Sequence, residues 1–146
     1  MADNQYLGNP NLKRANVAQN WTKKELVEYQ KCMENPQYFI ENYVRIVSGK
    51  STVMVSYLLH YALFNPSVNI AILANKAATA RDLLSRLQLA YEHLPKWLQQ
   101  GVMSWNKGSL ELENGSKILA SSTSASAVRG GSYNIIFLDE FAYVPS

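Results

Sequence analysis

The chain has 146 residues, 47% of them hydrophobic and 17% charged, with a formal net charge of +3. That suffices for one domain with a core, not obviously for two, and is too apolar for a disordered chain. No apolar run reaches the roughly 18 residues of a spanning helix, and the polar start, MADNQYLGNPNLKRANVAQN, lacks the apolar stretch of a secretory leader. A lone Cys32 excludes an internal disulfide framework, and His60 and His93 lie too far apart for metal spacing. The expectation is a reduced, cytosolic protein. The basic residues are spread along the chain, so the charge permits contact with nucleic acid without arguing for it.

Residues 1–21 read as a flexible tail, rich in Asn and Gly. A helix begins at Thr22, which has capping-box spacing to Glu25. Leu26, Tyr29 and Met33 supply its apolar face, widened by Val27, and it ends near Asn35-Pro36. Residues 37–47 are ambiguous: their start suits a helix, while Tyr43-Val44-Arg45-Ile46-Val47 suits a short strand. After Ser48-Gly49-Lys50-Ser51-Thr52 comes VMVSYLLHYALF, apolar nearly all round, which reads as a helix buried on most sides.

Residues 68–74 predict a buried strand, and residues 77–94 an amphipathic helix with Leu83, Leu84, Leu87, Ala90, Tyr91 and Leu94 as its stripe. Lys96–Gln100 reads as one further turn. Residues 109–113 and 117–120, joined by Asn114-Gly115, predict a β-hairpin, because this pair accepts the positive φ of tight turns. A loop of small residues, 121–132, leads to a second buried apolar strand, Tyr133–Leu138, ending in Asp139-Glu140. The alternation argues for an α/β sheet with parallel strands and helices on its faces.

Two places carry chemistry. Gly49-Lys50-Ser51 before a helix suits phosphate binding: glycine admits the anion to the backbone, lysine reaches the β- and γ-phosphates, and a hydroxyl holds Mg²⁺. The full motif would need a glycine where Val44 stands, and on the tripeptide alone a strand-to-helix turn with an exposed lysine is the better reading. Asp139-Glu140 at the end of an apolar strand shifts the balance. An acid there can orient a Mg²⁺ shell, and a following glutamate can polarise water. Arg129, in a loop before that strand, is a candidate to stabilise phosphate charge, although by spacing alone a surface arginine is the better reading. Cys32, His60, His93, Trp97 and Trp105 read as packing or rim residues.

From Gly49 onward the chain resembles the ATPase domain of the large terminase subunit of tailed phages, the T4-like branch in particular. The resemblance rests on GKSTVMVSYLLHYALFN, VNIAILANKAATARDLLSRLQLAYEHLPKWLQQG, SWNKGSLELENGSKILASSTSASAVRGGS and IIFLDEFAYVP. It implies a three-layer α/β phosphate-loop fold of the additional-strand type, here incomplete, over residues 22–146. It implies ATP and Mg²⁺, with Gly49, Lys50, Ser51 and Thr52 binding nucleotide and Ser51 and Asp139 on the metal. Asp139 becomes the Walker B acid and Glu140 the catalytic glutamate. Arg129 acts on nucleotide phosphates, in its own subunit or across a subunit boundary. The implied partners are duplex phage DNA, a portal protein, a small terminase subunit and further copies in a ring. The implied place is the host cytoplasm at the portal vertex of the procapsid, with no membrane.

The sequence departs from that family's pattern. Tyr43–Ser48 runs straight into Gly49, where the family has an adenine-contacting glutamine motif, a full strand and a longer basic phosphate loop. This reads as an internal deletion that also removes the central strand beside Asp139. The chain also stops at Ser146, before the family's coupling motif and nuclease domain. The expectation is therefore weak or no ATP binding by the chain alone. The competing reading is a catalytically inactive terminase remnant or interaction module, and a remoter one is a generic DNA-binding α/β protein.

Overall fold

The computed structural model describes residues 21–45, 52–99, 101–124 and 131–139. Helix α1, Lys23–Glu34, opens on the expected capping box: the Glu25 N–H donates to Thr22 Oγ1 at 3.1 Å, and the Thr22 N–H donates to Glu25 Oε1 at 3.0 Å. Its buried residues are Tyr29 and Cys32, while Val27, expected to widen the apolar face, is 65% exposed. Asn35 ends this helix and caps the next, accepting the Tyr38 N–H at 3.1 Å, and Pro36 takes the first helical position. Helix α2, Pro36–Tyr43, therefore includes the first residue of the strand expected at 43–47. Val44 is extended but still donates its N–H to Ile40, so the helix end wins locally; Ile46 and Val47 lie outside the described residues.

Helix α3, Thr52–Phe64, leads through a short turn into strand β1, Asn69–Ala74, and helix α4 follows over Ala77–Glu92. A 3₁₀ turn over Lys96–Leu98 precedes β2, Val102–Trp105, a strand the sequence did not announce. The hairpin joins β3, Ser109–Leu112, to β4, Lys117–Ser122, and β5 spans Ile135–Asp139. The hairpin turn has three residues, Glu113 to Gly115, closed by the Leu112 N–H on Ser116 O at 2.9 Å. Only Gly115 takes positive φ, at 89°, which is the glycine position of a three-residue hairpin rather than of the tightest two-residue form.

The sheet order is β2-β3-β4-β1-β5. β1 runs parallel to β4 and to β5, while β2, β3 and β4 are antiparallel neighbours. Ile70 stands in register with Ile118 and Ile135, and Ile72 with Ala120 and Phe137, so these six share one face. That face packs into the core formed with α3 and α4, around Val55, Leu59, Leu63, Leu84 and Leu87. Phe39 of α2, fully buried, joins the same core through edge contacts to His60 and Phe64.

β1 is buried on both faces, as a central parallel strand should be. β5 is not: Ile135 and Phe137 pack on the core, but Ile136 and Leu138 are 56% and 47% exposed. Among the described residues β5 pairs only with β1 and forms the edge of the sheet.

Candidate functional site

Three parallel strands end at one edge of the sheet. The side chains of an apolar strand alternate between faces, so the parity of Ile135 and Phe137 sends Asp139 to the core face as well. Asp139 is the last residue of β5, stands in register with Ala74 and is only 7% exposed. Ser122 is the partner of Ala74 on the other side, so Ser122, Ala74 and Asp139 form one row across three strand ends. The row is closed above Ala74 by the Thr123 N–H, which donates to the Ala74 carbonyl at 3.0 Å. Of the two acids expected at the C-terminal end of a buried strand, Asp139 stands there, Glu140 lies outside the described residues, and the strand itself is buried on one face only. That edge is where open α/β sheets place ligands.

Thr52 is the first residue of α3, half-buried, and its carbonyl accepts the Ser56 hydroxyl at 2.7 Å. The far end of α3 is fixed beside the start of β4. Asn114, 1% exposed in the hairpin turn, donates its amide to Ala62 O at 2.9 Å and also approaches Asn65 O at 3.3 Å. The Ser116 hydroxyl donates to Asn65 O at 2.6 Å. These bonds satisfy carbonyls that a helix end leaves orphaned. From there α3 rises about 18 Å to Thr52, close to the roughly 17 Å length of β1. Thr52 thus stands about 18 Å along the helix from the end that the hairpin turn holds.

Gly49, Lys50, Ser51, Arg129 and Glu140 lie outside the described residues. The approach to β5 is fixed at the starting edge: the Asn69 N–H donates to Asn134 Oδ1 and the Asn134 N–H to Asn69 O, both at 2.8 Å. A cleft of about 200 Å³ opens there, lined by Asn69, Lys117, Leu119, Gly131 and Tyr133. It lies at the opposite edge from Asp139 and is separate from the candidate site.

The remaining residues singled out in the sequence are packing or rim groups. His60 is buried, its Nε2 lies 2.9 Å from Cys32 O, and loss of solvent holds its pKa below the usual 6.5. His93 ends α4, exposed, with Nδ1 2.8 Å from Leu89 O. Trp97 meets Tyr43 and Trp21 edge-on, and Trp105 tilts against Tyr91. Cys32 is fully buried, and burial pushes its thiol up to about 12. Asn114 and Ser116 had no signal in the sequence beyond a turn, because their role as partners of α3 exists only once the hairpin folds against it.

The family model for the terminase large subunit, T4likevirus-type, N-terminal, matches residues 46–146. The match takes in α3, α4, all five strands and every candidate site position from Gly49 to Glu140, and begins beyond α1 and α2. It covers more than two thirds of the chain and carries the strand end with Asp139 and the helix opened by Thr52, so the chain belongs to the family of T4-like terminase large subunits, in their N-terminal domain.

Proposed function

We propose that the chain is the ATP-hydrolysing portion of a phage DNA-packaging motor. The observation that carries this reading is the buried carboxylate of Asp139 at the C-terminal end of β5, within a family match that also holds Lys50, Ser51 and Glu140. Backbone amides at Gly49, the Lys50 ammonium and the hydroxyls of Ser51 and Thr52 hold the triphosphate. Glu140 accepts a proton from the attacking water, and Arg129 neutralises charge on the phosphoryl group as it leaves.

Asp139 suits a Mg²⁺ ion bound mainly through nucleotide. It is a hard oxygen donor at a strand end, and among the described residues there is no cluster of three acids or histidines to form an all-protein cage. The ion, when bound, supplies charge neutralisation between the phosphates. Asp139 and Ser51 hold it, and the rigid β1–β5 pairing fixes where Asp139 stands. Duplex DNA, a portal protein, a small terminase subunit and further copies in a ring are the partners of this reading, at the portal vertex in the host cytoplasm.

Calorimetric titration of the purified chain with Mg²⁺-ATP tests it, with Lys50→Ala as control. Micromolar binding lost in the variant supports the nucleotide site, and Glu140→Gln then keeps binding while abolishing turnover. A folded wild-type chain that takes up no nucleotide overturns it. One observation favours the second reading, an inactive terminase remnant or interaction module: β5 leaves Ile136 and Leu138 exposed beside an edge unpaired among the described residues.

A further inference from the structure

The core face of the sheet is covered unevenly. Helix α4 packs over β4 and β1. On β3 the core-facing Leu110 and Leu112 are buried. One strand further out, their register partners on β2, Trp105 and Val102, are 39% and 38% exposed. Met103, the extra residue at the register shift between Val102 and Ser104, is 67% exposed. Trp105 is nonetheless held in place. Its ring tilts against Tyr91 of α4 at 5.6 Å, and the backbone carbonyl of the next residue, Asn106, accepts the Gln88 amide at 2.9 Å. Asn106 Oδ1 accepts the N–H groups of Gly108 and Ser109, both at 2.9 Å, which fixes the β2–β3 turn. An immobilised, partly exposed indole thus stands beside an adaptable methionine, and Val102–Trp105 carries no charged side chain.

We propose that β2 and the adjoining flank of α4 form a docking groove for an amphipathic helix of a partner protein. A helix laid beside α4 extends the helical layer by one place. Helix spacings of about 8–10 Å equal roughly two strand spacings, so that place lies over β3 and β2. Trp and Met are enriched where proteins meet, and an anchor fixed before binding loses little freedom on binding. The bulge argues against an added strand, because it breaks the row of edge groups in a strand of only four residues. Three apolar side chains fall short of the roughly 800 Å² per partner of a standard dimer interface, but they suit a helix bound through a few anchors along one face. An uncharged strand also gives a nucleic-acid backbone nothing to neutralise. The groove does not depend on the nucleotide reading.

Amide spectra of the isotope-labelled full chain, titrated with a helical peptide of about 15 residues, test this. The probe carries leucines at i, i+3, i+4 and i+7 with Lys and Glu elsewhere, and its control has the same composition with that spacing scrambled. The expected result is saturable shifts at Val102–Trp105, Gln88 and Tyr91 with the probe alone. Met103→Asp weakens binding by about tenfold or more, whereas Val27→Asp, similarly exposed on α1, leaves it unchanged. No saturable shift, shifts centred elsewhere, equal shifts with the scrambled peptide, or undiminished binding in Met103→Asp overturns the inference. Should Met103→Asp fail to fold, Met103→Ser carries the same comparison. Sedimentation of the chain without peptide separates the remaining occupant. A monomer is expected, and a dimer that Met103→Asp dissociates assigns the face to a second copy and overturns the partner helix.

Discussion

The Tyr43 hydroxyl donates to the Glu28 carboxylate at 2.7 Å, and the Tyr38 hydroxyl donates to the same oxygen. This pins α2 to α1 across the Asn35 junction, with Lys31 over the Tyr38 ring at 4.8 Å. The donation from Tyr38, then that from Tyr43, holds the Glu28 carboxyl below its usual 4.5, and the carboxylate pushes the Tyr38 phenol up to about 12.

A carboxyl with a depressed pKa in the fold stabilises it fully above 4.5, and that contribution is lost as pH falls through the lower folded value. Glu28→Gln should therefore lower the melting temperature at neutral pH and flatten the acid limb below pH 4.5. Thermal unfolding across that range checks both; an unchanged acid limb would show that the pair does not couple the helices.

His60 gives the opposite kind of titration. Its pKa is below 6.5 in the fold, so below that pH the unfolded chain takes up a proton the folded chain refuses. Stability contributed by neutral His60 is complete above 6.5 and falls as pH drops toward the folded value. His60→Gln, which keeps a donor for Cys32 O, should remove this part of the slope in denaturant titrations run at successive pH values.

Cys32 is fully buried with its thiol raised to about 12, so little thiolate forms at neutral pH and reagents have no access. Labelling by an aromatic disulfide reagent should follow the opening of the fold. It should be slow in buffer and immediate in denaturant. Fast labelling of the folded chain would contradict the packing of α1.

Gly115 has φ of 89°, and a Cβ there would meet Ser67 Oγ at 2.9 Å. Gly115→Ala is therefore strained in backbone and in contact, and should destabilise by about 1–2 kcal/mol in urea unfolding. The Ser67 backbone stays at ordinary contact distance and its Oγ can rotate aside, so most of the cost is the backbone conformation.

Ile136 is 56% exposed on the open side of β5, where natural edges usually carry a charge or a bulge. Ile136→Lys should change stability by no more than about 0.5 kcal/mol while reducing self-association seen by light scattering. A large loss of stability would mean that this face is covered in solution.

Much of the local structure was readable from residues alone. The Thr22–Glu25 box, the helix end at Asn35-Pro36, the α4 stripe and the Gly115 turn are short-range effects, each complete within a few residues of chain. The apolar run that ends in Asp139 was readable for the same reason, and it placed the one candidate acid that the structure describes. Val27 lies in the expected helix but off the face, around Tyr29 and Cys32, that packing buries, and the segment around Tyr43 suited more than one element until the helix end claimed it.

What the sequence alone determined is thus most of the elements, the capped start at Thr22 and the family signature from Gly49 to Glu140. The tertiary structure decided the rest. It set the order β2-β3-β4-β1-β5, recruited β2 to the sheet, left β5 at the edge, and turned Asn114 from a turn residue into a buried partner of α3. The physical reason is range. Capping and periodicity act along the chain, whereas strand order and the burial of an amide depend on contacts between residues some fifty positions apart, which exist only once the core has formed.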